Sequence, residues 1–221
     1  MNLLAIDSAC HVLSAAVSRG DEIFYEEIDE GMKHSELIIN IIDSLMKKAS
    51  LKPENLNGVL CMGGPGSFTG LRIGYSIAKG LALSLSIPFA PVPTLDCAVF
   101  GMSNEEIILA VIQARKSAWF YSFYRNGQKI SEEADGDYLQ IGREIEKYGE
   151  RIILTGYGSE VFYDSLPQEK KEKIILKSEK RGYAKQLISI AKIKKLLDND
   201  CSAYLYSGPE YIRLTDAELR K

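Results

Sequence analysis

Between residues 70 and 82 every fourth residue is small: Gly70, Gly74, Ala78 and Ala82. On a helix that spacing stacks them on one side. A side without bulk gains contacts only where another backbone comes close. Ile73, Ile77, Leu81 and Leu85 lie interleaved opposite, and the charged residues of the stretch are Arg72 and Lys79 alone. Residues 33–49 behave similarly. Leu37, Ile38, Ile41, Ile42 and Leu45 repeat at helical spacing, and Ile39 and Met46 widen the apolar arc. A helix apolar over most of its circumference must be covered on more than one side. One side packs on the protein's own sheet; the other forms a protein–protein surface or lies beneath a second lobe. The interface reading assigns the small stripe to close approach by a partner. It predicts that Gly74→Leu abolishes partner binding and leaves the monomer folded.

The remaining segments define the sheet beneath these helices. Residues 3–6, 12–17 and 22–28 read as three short strands in an antiparallel meander, with Arg19-Gly20-Asp21 at the second turn. His34-Ser35-Glu36 opens the first helix, and Lys47 and Lys48 close it where cations suit the dipole. A strand at 59–62, the helix at about 71–85, a strand at 87–92 and a Thr94-capped helix to Phe100 follow. The order βββαβαβα predicts an α/β fold, a mixed sheet flanked by helices. The pattern restarts after Asn104, with strands at 106–112 and 118–124, a hairpin turn at Asn126-Gly127, a strand at 151–154 and a helix over 183–197. The expected domains are residues 1–102, a lobe carrying the partner-binding helices, and 103–221, a smaller, more divergent lobe with a polar tail from Asp216.

Composition narrows the function classes. A net charge of −3 gives no basic surface of the kind nucleic acids require. Cys10, Cys61, Cys97 and Cys201 form no CxxC pair and read as reduced thiols in a cytoplasmic protein. His11 and His34 form neither HxxxH nor HExxH. The first strand reaches Asp7 with no basic flank before it, unlike a signal peptide. No run approaches the roughly 18 apolar residues of a membrane span.

The run Gly63-Gly64-Pro65-Gly66-Ser67-Phe68-Thr69-Gly70 is the richest candidate for chemistry. Glycines let a backbone approach a phosphate, and the following helix start offers free N–H groups. The spacing misses the standard templates. A Walker A loop ends in GK[ST], whereas Gly70 precedes Leu71-Arg72; the dinucleotide pattern GxGxxG finds its last glycine one residue late. The esterase pattern GxSxG finds Pro65 and Thr69 around Ser67. Two readings stand. Gly64, Gly66 and Ser67, with Asp7 and Ser8 at the end of the first strand, hold a phosphate or metal; or both segments are turns that bind nothing. The lysines from 169 to 195 are diluted by neighbouring acids. Trp119, Phe120, Tyr121, Phe123 and Tyr124 read as core plus one sheet face rather than a base-stacking platform.

The run Gly64-Pro65-Gly66-Ser67-Phe68-Thr69-Gly70-Leu71-Arg72-Ile73-Gly74, with Ala78-Lys79-Gly80-Leu81-Ala82 after it, resembles the signature of the bacterial TsaB (YeaZ) family. Leu4-Ala5-Ile6-Asp7-Ser8, His34-Ser35-Glu36, Gln113-Ala114-Arg115 and Tyr211-Ile212-Arg213 resemble further family segments, so the likeness spans nearly the whole chain. The resemblance implies an actin-like ATPase (ribonuclease H-like) fold of two related lobes, each a mixed sheet flanked by helices. It implies a non-catalytic, dimerising subunit of the complex that transfers threonylcarbamoyl to adenosine 37 of tRNA. The implied partners are the catalytic TsaD, the ATPase TsaE, a second copy when alone, and tRNA through the complex. TsaD-like proteins carry an HxxxH metal motif where this chain has Thr94-Leu95-Asp96-Cys97-Ala98. Neither threonine nor alanine replaces an imidazole as a ligand. No tightly bound cofactor is expected, with weak ATP or ADP affinity left open. The implied interface is His34, Leu37, Ile38, Ile41, Leu45, Gly70, Arg72, Gly74, Ile77 and Ala78. The alternatives are a stand-alone actin-fold ATPase or metallopeptidase, and a direct tRNA-binding module.

Overall fold

Leu3–Asp7 forms β1, with every residue buried. A strand covered on both faces reads as a continuous apolar run rather than an alternation, which is why the sequence marks it so clearly. β2 (Leu13–Arg19) and β3 (Glu22–Ile28) follow as an antiparallel meander. Gly20 supplies the positive φ of 61° in their turn. Then come α1 (His34–Lys48), a short 3-10 turn at Pro53–Asn55, β4 (Gly58–Gly64), α2 (Phe68–Leu85), β5 (Phe89–Pro93) and α3 (Thr94–Val99). β4 lies parallel to β1, and β5 parallel to β4, so the sheet order is β3-β2-β1-β4-β5. The computed structural model describes residues 1–29, 33–102, 105–149, 151–178, 180–198 and 200–212.

A second sheet repeats this plan. Its strands are β6 (Ile107–Arg115), β7 (Ala118–Arg125), β8 (Gln128–Lys129), β9 (Ala134–Gly136), β10 (Ile152–Gly156) and β11 (Ile174–Ser178), with helices α4 (Tyr138–Glu146), α5 (Ser159–Ser165) and α6 (Gln168–Lys171) between the later ones. The order is β11-β10-β6-β7-β8, with β9 also on β7. β6 pairs antiparallel with β7 and parallel with β10. The predicted hairpin at Asn126-Gly127 is present, and both residues carry positive φ (51° and 71°) as a tight primed turn requires. Trp119, Phe123, Phe162, Ile141 and Ile152 meet in this sheet's core.

α7 (Ala184–Lys194) and α8 (Ser202–Tyr206) complete the described helices. The chain divides into two units, Met1–Cys97 with Arg181–Glu210, and Ala98–Lys180 with the residues from Tyr211. This corrects the linear division at 102/103. Residues 181–210 return to the first unit because α7 buries Leu187, Ile188, Ile190 and Ala191 and packs on β1, β2 and β4. The expected polar tail from Asp216, and Arg213, lie outside the described residues.

The first sheet carries its helices on two faces. Leu4, Ile6, Leu13, Ala15, Val17, Val59 and Cys61 form one core with Ile38, Ile41 and Leu45 of α1 and Tyr75, Ala78 and Ala82 of α2. By the two-residue period of strands, Asp7, Ser14 and Glu27 point to the other face, toward α7.

Candidate functional site

Two features of the first unit bear on function: the turn after β1, and the outer side of α1 and α2. In the turn, Ser67 N donates to Ala9 O at 2.7 Å, and Ser8 Oγ donates to Gly70 O at 2.8 Å. Ser67 also caps α2, its Oγ accepting from Gly70 N at 3.2 Å. A Cβ on Gly66 would sit 2.7 Å from Ala9 O, and one on Gly64 would overlap Glu210 O. Glu210 N in turn donates to Gly63 O at 2.8 Å. The glycines admit the chain's own backbone on both sides, and the candidates Gly64, Gly66 and Ser67 are placed by those contacts. Ser67 N, one of the donors an anion would seek at this helix start, is taken by Ala9 O.

Asp7 and Ser8 are equally engaged. Asp7 is 1% exposed. Its Oδ2 accepts from Tyr183 N at 2.7 Å and its Oδ1 from Ala9 N at 3.1 Å. Burial pushes its carboxyl up to about 6 from an ordinary 3.8, against the opposing pull of the Tyr183 and Ala9 N–H groups and the Ser14 hydroxyl. A carboxyl whose folded value lies above its unfolded one adds stability that is full below the ordinary value and lost as pH rises through the folded one. About two units correspond to roughly 3 kcal/mol. The first unit is therefore expected to lose thermal stability as pH rises from about 4 to about 7, and Asp7→Asn to flatten that slope. Paired melting curves at both pH values check this, and parallel slopes in the two proteins would refute it.

The predicted interface residues divide into two groups. Ile38, Ile41, Leu45, Gly70, Gly74 and Ala78 are buried in the unit's own core, and His34 is buried to 9% exposure. This corrects the assignment of the small stripe to a partner. A Cβ on Gly74 would lie 2.7 Å from Ser8 Oγ and in contact with Cys61 and Ile6, and one on Gly70 would overlap Ser8 O. The backbone that approaches α2 so closely is that of β1 and its turn. His34 Nε2 meets His11 O at 3.0 Å and ties the start of α1 to the same turn. Leu37 and Ile77, by contrast, are half-buried, as are Ile73 and Leu81 beside them, and Arg72 is exposed over the Phe68 ring at 3.8 Å. Ile39 and Leu83 are more than half exposed, at 54% and 61%. Leu37, Ile73, Ile77 and Leu81 thus keep part of their apolar surface in solvent, and Ile39 and Leu83 most of theirs, among the described residues.

The residues present do not fit the metal of TsaD-like proteins. Thr94 is fully buried and its Oγ1 has no hydrogen-bond partner, while Ala98 follows one turn later without any donor. One hydroxyl is a poor substitute for two imidazoles. Among the described residues no three His, Cys, Asp or Glu side chains gather in a metal-holding group. Burial pushes the Cys61 and Cys97 thiols well up, away from nucleophilic use. No described helix is long and apolar enough to cross a membrane.

Sequence reasoning missed how residues 182–210 are held. Lys79 Nζ donates to Leu205 O at 2.9 Å and also to Ser207 O, and Gly182–Ala184 sit on β1, β2 and β3. No spacing rule links positions so far apart in the chain.

Two sheets of one strand order, each with an antiparallel hairpin on one side of its central strand and parallel strands on the other, define a protein of the actin-like ATPase fold. A Bacteroides thetaiotaomicron protein described as having that fold aligns over 90% of this chain and 96% of its own, with TM-score 0.50 and 9% identity. A Pseudomonas aeruginosa structure described as similar to the peptidase YeaZ aligns over 96% of this chain and 99% of its own, with TM-score 0.79 and 20% identity. The TsaB protein of Bacillus subtilis, named for tRNA threonylcarbamoyladenosine biosynthesis, is 28% identical over 100% of this chain and 97% of its own length. The family model of TsaD, tRNA N6-adenosine threonylcarbamoyltransferase, matches residues 30–217. The chain belongs to the TsaB (YeaZ) family, within the wider TsaD family.

Proposed function

We propose that this chain is the non-catalytic subunit of the assembly that transfers threonylcarbamoyl to tRNA, and that it binds and activates TsaD through the outer side of α1 and α2. The observation that carries this reading is the closed glycine turn. Ser67 N and Ser8 Oγ are spent on Ala9 O and Gly70 O, and Gly70 N on Ser67 Oγ, which takes several of the groups a phosphate would use at this helix start. Thr94 and Ala98 in place of the histidine pair support the same reading. No cofactor is held tightly, and any ATP or ADP affinity is weak. TsaE supplies the ATPase function. The subunit pairs with a second copy when alone, works in the cytoplasm, and meets tRNA only through the complex, in keeping with its net charge of −3.

Reconstitution tests the proposal. Transfer to tRNA is expected to need both this chain and TsaD, and this chain alone is expected to give none. Titration calorimetry with ATP is expected to show binding no tighter than about 1 mM, near −4 kcal/mol. Full transfer by TsaD in the absence of this chain, or turnover by this chain alone, would overturn it.

A further inference from the structure

Asp7, Ser14 and Glu27 stand side by side on β1, β2 and β3. Asp7 pairs in register with Ser14, and Ser14 with Glu27. Together they take three consecutive backbone N–H groups at the start of α7. Gly182 N donates to Glu27 Oε2 at 3.1 Å, Tyr183 N to Asp7 Oδ2 at 2.7 Å, and Ala184 N to Ser14 Oγ at 3.2 Å. Tyr25 OH donates to Gly182 O at 3.0 Å from the same side. The fit is close enough that a Cβ on Gly182 would overlap Ser14 Oγ. A helix start leaves its first N–H groups unsatisfied; here the strands take two of them, Tyr183 N and Ala184 N, and Gly182 N just before them, with one acceptor each.

The same short turn that begins at Asp7 also holds the other two long helices of the unit. Asp7 Oδ1 accepts from Ala9 N, Ala9 O accepts from Ser67 N at the cap of α2, Ser8 Oγ donates to Gly70 O, and His11 O meets His34 Nε2 at the start of α1. Residues 7–11 therefore touch the first turns of α1, α2 and, through Asp7, α7. Buried polar networks of this kind keep one geometry only while every member is satisfied.

We propose that residues 7–11 are a conformational junction, through which the grip of Asp7, Ser14 and Glu27 on residues 182–184 sets the positions of the α1 and α2 starts. The junction would let a change at the returning segment alter the partner-binding side of α1 and α2 without touching it. Its link to partner binding rests on the function proposed above; the mechanical coupling does not.

Hydrogen exchange on the intact chain, read peptide by peptide, tests the coupling in Glu27→Ala and Gly182→Ala. Glu27 is exposed, so its loss removes one acceptor and leaves the core whole; that variant carries the test if Gly182→Ala fails to fold. Exchange is expected to rise about tenfold at 183–188 and also at 8–11, 34–38 and 67–71. Affinity for TsaD is expected to fall roughly tenfold. A rise confined to 183–188, or no rise, overturns the junction. If the wild-type chain does not bind TsaD at all, the proposed function falls, and the exchange pattern still decides the coupling.

Discussion

Gly70→Ala is expected to destabilise the first unit by about 3 kcal/mol or more, at the upper end of overpacking costs, and Gly70→Leu to prevent its folding. The added Cβ would overlap Ser8 O. That oxygen belongs to a backbone held in place by Asp7 Oδ1, by the Ser67–Ala9 bond and by Ser8 Oγ on Gly70 O, so it has no room to retreat. Alanine is ordinarily better than glycine inside a helix by about 1 kcal/mol, and the overlap must exceed that gain. Gly80 serves as the control. It lies on the same helix with nothing within 4 Å of its Cβ, so Gly80→Ala is expected to be neutral or to raise stability slightly. Thermal melts of both variants separate the two effects. A Gly70→Ala protein melting within about 2 °C of wild type would show that the turn yields, since a cost of about 3 kcal/mol moves the midpoint of a unit this size by roughly 10 °C. Gly74→Leu is expected to fail for the same reason, its Cβ meeting Ser8 Oγ at 2.7 Å, rather than to yield the folded, partner-deficient monomer that the small-residue stripe suggested.

That reversal marks what a sequence can carry. Gly70, Gly74, Ala78 and Ala82 declare that some backbone comes close, but periodicity is silent on whose. The central strands were legible because burial on both faces leaves an unbroken apolar run, as in Leu3–Ile6 and Ile107–Ile112. The Asn126-Gly127 turn was legible because few other pairs tolerate two positive φ values. The stretch from Ala134 to Ser178 was not read apart from β10. β9 is three residues long, and α5 and α6 are short and charged. α4 did leave a signal, the capping box in which Asp137 Oδ1 accepts from Gln140 N and Gln140 Oε1 from Asp137 N. The return of α7 to the first sheet, and with it the unit boundary, depends on contacts such as Asp7 with Tyr183, 176 residues apart. The family resemblance implied a partner and a complex; the closed turn and the orientation of the stripe came from the structure.

The largest expected effect on function is at the half-buried apolar residues of α1 and α2. Ile77→Lys and Leu37→Lys are each expected to weaken binding to TsaD about a hundredfold or more while leaving the monomer folded. Ile77 and Leu37 pack against the core with one side and face solvent with the other. A lysine can lay its aliphatic stem over that core and carry its ammonium into water, so the free chain pays little. A partner covering these residues with an apolar surface would trap the charge. Arg72 and Lys79 on the same helix are themselves cationic and offer no relief. An unpaired charge buried on association costs several kcal/mol, and roughly 3 kcal/mol is a hundredfold in affinity. Calorimetric titration against TsaD measures the affinity, and light scattering follows self-association. If the same residues serve both, one substitution weakens both, whereas loss of one alone would assign the two pairings to different surfaces. On the function proposed above, transfer to tRNA should fall in step with affinity and recover as the variant's concentration is raised, because the substitution leaves TsaD untouched. An Ile77→Lys chain that binds TsaD as tightly as wild type would place the interface elsewhere on the molecule.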